Sequence, residues 1–139
     1  MNVKIAVVQF EINQYEPDYN LMKAEKFIAK AADSKADIIV FPEDFITGPI
    51  GLRLEEFADN SQKYCKYFQN LAKKYKINIV PGSIIEKEKL GIYNTSYYID
   101  SKGEVKGKYK KSIYGIQKND ILIEVMKSVS LIQNLVKLG

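Results

Sequence analysis

The chain of 139 residues contains no histidine, no tryptophan and a single cysteine, Cys65. Each absence removes a class of mechanism. Without imidazole there is no histidine base, no Ser-His or Cys-His dyad and no histidine metal ligand. One cysteine with no histidine argues against a zinc site, so no metal is expected. A lone thiol also forbids an internal disulfide, in keeping with a reducing compartment. No apolar run reaches the ~18 residues that span a bilayer, and the N-terminus enters a strand pattern without a signal peptide. The expected location is the cytoplasm, with no membrane association. A glycine-rich phosphate loop is missing too: "VQFEINQ" stands where one would follow the first strand, which disfavours a nucleotide-binding domain.

What is present describes one soluble domain. Hydrophobic residues make up 46% and charged residues 27%, a globular composition, and the length suits a single unit. The net charge of +4 comes from 21 basic against 17 acidic residues, with lysines clustered from Lys102 to Lys111. No basic face with interleaved aromatics emerges, so no nucleic-acid partner is expected.

The order of elements follows from periodicity. "VKIAVVQF" is a continuous apolar strand of the kind buried on both faces. Pro17-Asp18 opens a helix whose stripe is Leu21, Ala24, Ile28 and Ala31. "ADIIVFP" is a second strand, giving a βαβ unit with a parallel sheet. Residues 42–54, with Gly48, Pro49 and Gly51, read as a loop. Ser61 is placed to cap a second helix with the stripe Tyr64, Phe68, Leu71 and Tyr75. "INIVPGSII" is a third strand interrupted by Pro-Gly, and "YNTSYYID" and "GEVKGKYKK" flank Ser101-Lys102-Gly103 as a hairpin. From about residue 112 the punctuation stops. "ILIEVMKSVSLIQNLVKLG" fits neither period 2 nor period 3.6, and taken alone it could be a C-terminal amphipathic helix.

One junction stands out within this order. In "DIIVFPEDFITG" the apolar run meets Pro42, which cannot donate to a ladder, and Glu43 and Asp44 follow directly at the strand end. Such ends are where α/β proteins tend to carry their chemistry. Taken alone, the same residues could equally be a strand followed by a solvated acidic loop.

The ordered set "KIAVVQ", Asn20 and Ala24, "ADIIVFPE", "VPGSI" and "YNTSYYIDSKGEVKGKYKK" resembles the carbon–nitrogen hydrolase (nitrilase) family over residues 1–111. The resemblance implies an α/β fold, the α-β-β-α sandwich, of which only the N-terminal half is expected. It further implies hydrolysis of small amides, nitriles or N-carbamoyl groups by a Glu-Lys-Cys triad through a thioester. By motif position the glutamate is Glu43 and the lysine Lys111, and no organic cofactor is needed. The chemistry suits these types: a thiol attacks as thiolate, a carboxylate of raised pKa can take its proton, and a fixed ammonium stabilises the charge that develops. Tyr93 and Asn94 are candidates for shaping the pocket, with packing an equal reading. Gly82 is expected to serve backbone approach, and Asp44 to be a loop residue or a partner of a helix dipole. Lys108 and Lys110 read as a solvated face.

The nucleophile is the missing member. In the family it follows the lysine, whereas Cys65 precedes Lys111 and shares a helical face with Phe68 and Ala72, so a structural thiol is the better reading. The domain assignment is therefore 1–111 as the N-terminal part of a hydrolase domain and 112–139 as a divergent tail. Such a chain is expected to be inactive, or to act as a non-catalytic binding or assembly partner. A sheet face without its partner would make it a homo-oligomer or prone to aggregate. The tail itself reads as a frame-shift product. One permitted set of codons for residues 124–139, read from its third base, spells GNEVSVFDTKFGKVG, which restores the family's "VFDTxxGKxG" pattern.

Overall fold

The computed structural model describes residues 2–113; the expectations for the tail concern residues outside that range. The elements are β1 (Ile5–Val7), α1 (Pro17–Asp33), β2 (Ile38–Val40), a 3-10 turn (Gly51–Arg53), α2 (Leu54–Phe57), α3 (Lys63–Tyr75), β3 (Asn78–Val80), β4 (Ser83–Glu88), β5 (Gly91–Ile99) and β6 (Val105–Ser112). They form a six-stranded sheet in which β1, β2 and β3 run parallel, while β5 pairs antiparallel with β3, β4 and β6. Residues 93–96 of β5 pair with β4 and with β6, so those two strands lie on opposite edges of β5.

The helices form because their apolar residues recur on one stripe. On α1 the buried positions are Asn20, Leu21, Ala24, Ile28 and Ala31, with Pro17 in the first turn and Lys30 in the last, complementing the helix dipole. On α3 they are Tyr64, Cys65, Phe68, Leu71 and Ala72. Both stripes pack on one face of the sheet, joining Ile39, Ile79, Ile84, Tyr97 and Ile99 in a single core with Phe41, Phe45 and Phe68. Phe45 and Phe68 are fully buried, and truncating such a ring costs about 3–5 kcal/mol.

Three local expectations need correction. The segment read as one strand over 77–85 is two, because Gly82 has φ +65° and turns the chain between β3 and β4. The stretch 42–54 is not all loop, since the 3-10 turn and the start of α2 lie within it. Ser61 does not cap α3: the residue at that junction is Gln62, in the left-handed region, without a side-chain cap. The capping work falls to Asp59, whose carboxylate accepts from the Ser61 N–H and, at 3.0 Å, from the Tyr64 N–H. An aspartate satisfies orphan helix donors as well as a serine does.

The sheet face away from α1 and α3 is unevenly covered. Near β4 and β5 the segment 50–58 packs on it, through Ile50 against Ile85 and Ile92 with Leu54 and Phe57 alongside. At the β1 edge Ile5 and Val7 are 48% and 79% exposed.

Candidate active site

The site is built where two strand ends meet. The last rung joining β2 to β3 is the Phe41 N–H donating to Val80 O at 2.9 Å. Pro42 then ends the ladder by having no N–H to give. Gly82 lies against this point: a Cβ there would stand 1.9 Å from the Pro42 carbonyl oxygen. Only glycine permits that approach at that backbone angle. The turn is tied from β5, where the Ser96 hydroxyl donates to Gly82 O at 2.9 Å. It is tied again through Ser83, whose Oγ accepts from the Asp44 N–H and donates to Asp44 Oδ1, both at 3.0 Å.

Glu43 projects from this brace across β5. Its Oε1 accepts from Asn94 Nδ2 at 2.8 Å and from Lys111 Nζ at 3.1 Å. Asn94 and Lys111 are direct cross-strand partners, so their side chains leave neighbouring points on the same face. The structure thus brings together Glu43, Lys111 and Asn94. It does not bring Tyr93 to them. As the neighbour of Asn94 along β5, Tyr93 points to the opposite face, where Lys110 Nζ lies 4.2 Å from its ring centroid.

The Glu43 carboxylate is open to solvent: its side chain is 60% exposed and that of Lys111 34%. Asp44 is the buried member of the acidic pair. Burial pushes its carboxyl up, the Ser83 hydrogen bond opposes this, and the Glu43 charge adds to the rise.

Cys65 is on the other side of the sheet. It lies on α3 among the core residues, buried, and burial followed by the charge of Glu86 pushes its thiol up to about 11. That is the opposite of an activated nucleophile. Around it β4, β5 and β6 carry a separate charge network. Tyr97 OH donates to the buried Glu86 at 2.7 Å, Lys108 Nζ lies 3.6 Å from both Glu86 and Glu88, and Lys110 pairs with Glu88 at 2.7 Å. Lys108 and Lys110 are exposed, as expected of a solvated face, and pair there with the two glutamates of β4.

Sequence reasoning missed Ser83 and Ser96, which nothing in composition or periodicity distinguishes from other strand serines. Asn20 carried a usable signal, an amide on an otherwise apolar stripe. Fully buried, it accepts from the Asn13 N–H and donates to Asn13 O and Ile46 O, fastening the loop after β1 to the loop after Glu43. Among the described residues no group of three or more cysteines, aspartates and glutamates could hold a metal ion, and no helix is long and apolar enough to cross a membrane.

A helix-backed sheet with a carboxylate, an ammonium and an amide converging at strand ends is an α/β architecture of the nitrilase type. The chain belongs to the carbon-nitrogen hydrolase family, whose sequence profile matches residues 4–127. It is 34% identical over 113 residues to 2-oxoglutaramate amidase of Bacillus subtilis, covering 81% of this chain and 43% of that protein. It is likewise 34% identical over 114 residues to a nitrilase of Pyrococcus abyssi, covering 78% and 43%. Its fold matches the amidase of Nesterenkonia sp. AN1 with a TM-score of 0.72 at 23% identity, over 83% of this chain and 46% of that one. The chain therefore spans under half the length of these relatives. One structure of a mutant of that amidase is described as showing covalent addition of the acetamide moiety of fluoroacetamide at the active site cysteine.

Proposed function

We propose that this chain carries two of the three catalytic groups of a hydrolase acting on non-peptide carbon–nitrogen bonds in small amides or nitriles. Glu43 is the base and acid, and Lys111 the cation that stabilises charge on the reacting oxygen or nitrogen. The observation that carries this reading is the convergence of Lys111 and Asn94 on one oxygen of Glu43 at a strand end, in a chain of this family. In the reaction a thiol proton passes to Glu43 and the thiolate attacks the substrate carbon. For an amide, the C–N bond then breaks as Glu43 returns the proton to the departing ammonia, leaving a thioester. Water, giving a proton to Glu43, cleaves that thioester and regenerates the thiol. Lys111 holds the charge that appears at each addition; removing one such donor typically costs about 3–4 kcal/mol.

The thiol in this scheme is not Cys65, and the sequence holds no other cysteine. The chain by itself is accordingly expected to bring about no turnover. Reconstitution is the test: the chain is combined with the part of the B. subtilis amidase that lies beyond the matched segment, and short primary amides are assayed. Hydrolysis lost with Glu43→Gln and with Lys111→Ala, but kept with Cys65→Ala, supports the reading. Hydrolysis by the unmixed chain that disappears with Cys65→Ala overturns it.

A second reading, in which the chain serves as an assembly partner, draws on the exposure of Ile5 and Val7 at the β1 edge. An apolar face of that kind normally associates. A monodisperse monomer on size-exclusion chromatography would count against it.

A further inference from the structure

We infer that Asn94 is a positioning residue for Glu43. It fixes Oε1 together with Lys111 and so leaves Oε2 as the oxygen that takes up and returns the proton. This rests on the reading of Glu43 as the base. The argument starts from hydrogen-bond capacity. A carboxylate has two oxygens, and a base needs one of them free to receive a proton. Here both donors aim at the same atom: Asn94 Nδ2 lies 2.8 Å and Lys111 Nζ 3.1 Å from Oε1. Oε2 has no hydrogen-bond partner among the described residues.

The second strand of the argument is the state of the amide itself. Asn94 is 6% exposed, and its Oδ1 is buried with no hydrogen-bond partner among the described residues. A buried orphan acceptor costs stability, and an asparagine held only for packing would be expected to satisfy both ends. Among the described residues the one bond its side chain makes is to Glu43. A lysine alone would hold the carboxylate loosely, because an ammonium on a flexible stem bonds with little directional preference. The amide, rooted in the middle of β5 between β4 and β6, supplies the fixed direction.

Zero-length carbodiimide coupling of the full-length chain, read by peptide mass spectrometry, tests this without turnover. The reagent takes up the water lost as Lys111 Nζ and the Glu43 carboxyl form an amide. The pair Lys110 of β6 and Glu88 of β4, 2.7 Å apart on the opposite face of the sheet, is an internal reference. The wild-type chain is expected to give both links. Asn94→Ala should lower the Glu43–Lys111 link by about fivefold, as loss of one hydrogen bond to a partly exposed carboxylate implies, and leave the reference link unchanged. The isosteric Asn94→Asp, which exchanges the donor for a like charge, should do the same. Unchanged yields of both links in either variant, or loss of both links in both variants, would overturn the inference, the latter by making Asn94 a structural residue. A link that depends on Asn94, alongside reconstituted hydrolysis indifferent to Glu43→Gln, would keep the positioning and reject Glu43 as the base.

Discussion

Gly82→Ala puts the largest calculable strain on the site without touching a reacting group. Two costs arise. Alanine at φ +65° pays about 1–2 kcal/mol for the left-handed region. Its Cβ would also start 1.9 Å from the Pro42 carbonyl oxygen, and reaching an ordinary contact of about 3.5 Å requires the two segments to part by roughly 1.6 Å. That displacement exceeds the tolerance of the Phe41–Val80 hydrogen bond and of the Ser83–Asp44 pair, at 2.9 and 3.0 Å, each worth about 1 kcal/mol. The expected loss is about 3–4 kcal/mol, a large part of the stability of an ordinary domain. Gly51→Ala is the matched control, for Gly51 has φ +50° and open space around its would-be Cβ. It should pay the conformational cost alone. Urea unfolding followed by circular dichroism reads both, and at a slope of about 1.5 kcal/mol per molar Gly82→Ala should lower the midpoint by roughly 2 M or more. If the two variants lose the same amount, the contact with Pro42 carries no energy and the brace beneath Glu43 is not real.

Other consequences follow at separate sites. With its thiol pushed up to about 11, Cys65 should react with a disulfide reagent at pH 8 hundreds of times more slowly in the folded chain than in urea. The thiolate fraction falls about that much below that of a free cysteine; equal rates would mean the thiol is accessible and activated. Asp44 has a folded-state pKa raised by burial, so its contribution to stability is full below the unfolded carboxylate range and is lost as pH rises through the folded value. Asp44→Asn, which keeps an acceptor for Ser83, should therefore stabilise the chain at pH 7 relative to wild type and lose that advantage near pH 3. Equal midpoint differences at both pH values would refute this. We further propose that residues from about Ile121 onward arise from a shifted reading frame. Sequencing the gene tests it: the bases beyond the Gly139 codon, in the restored frame, should encode a cysteine followed by an aromatic and an acidic residue.

How far the sequence was legible depended on whether a residue's role was periodic or contingent. The stripe Leu21, Ala24, Ile28 and Ala31 could be read because a helix repeats its geometry, and all four are buried. The strand end at Pro42 could be read because proline has only one backbone outcome there. The split of 77–85 into β3 and β4 was harder. Pro81-Gly82 marked an interruption, but whether it was a bulge or a turn depends on the Pro42 carbonyl, 40 residues earlier in the chain. Asp59 displaced Ser61 as the helix cap for a similar reason. It is held by rungs to β4, where its N–H donates to Ile85 O and its carbonyl accepts from the Lys87 N–H, and no local window contains that information. Tyr93 and Asn94 were indistinguishable as neighbours in a motif. Only the pairing with β6 shows which of them faces Glu43.

That pairing also explains why the lysines at 110 and 111 have different roles although they are adjacent and chemically identical. Strand geometry sends successive side chains to opposite faces. Lys108 and Lys110, opposite Tyr97 and Thr95, belong to the helix-covered face and pair with Glu86 and Glu88. Lys111, opposite Asn94, reaches Glu43. A slip of β6 by one residue that brings Lys110 opposite Asn94 would carry Lys108 and Lys110 to the Glu43 face and leave Lys111 as the one β6 lysine on the face of Glu86 and Glu88. One ammonium would then serve two carboxylates, of which Glu86 is 2% exposed, and a buried carboxylate that loses its partner is costly. The acidic residues of β4 therefore do more than neutralise a basic strand. By favouring two lysines, at 108 and 110, on their own face they bias the register of β6, and with it the identity of the ammonium that meets Glu43. The two charge clusters lie on opposite faces of the sheet and share no side chain, yet the one that touches no candidate catalytic group bears on the composition of the other.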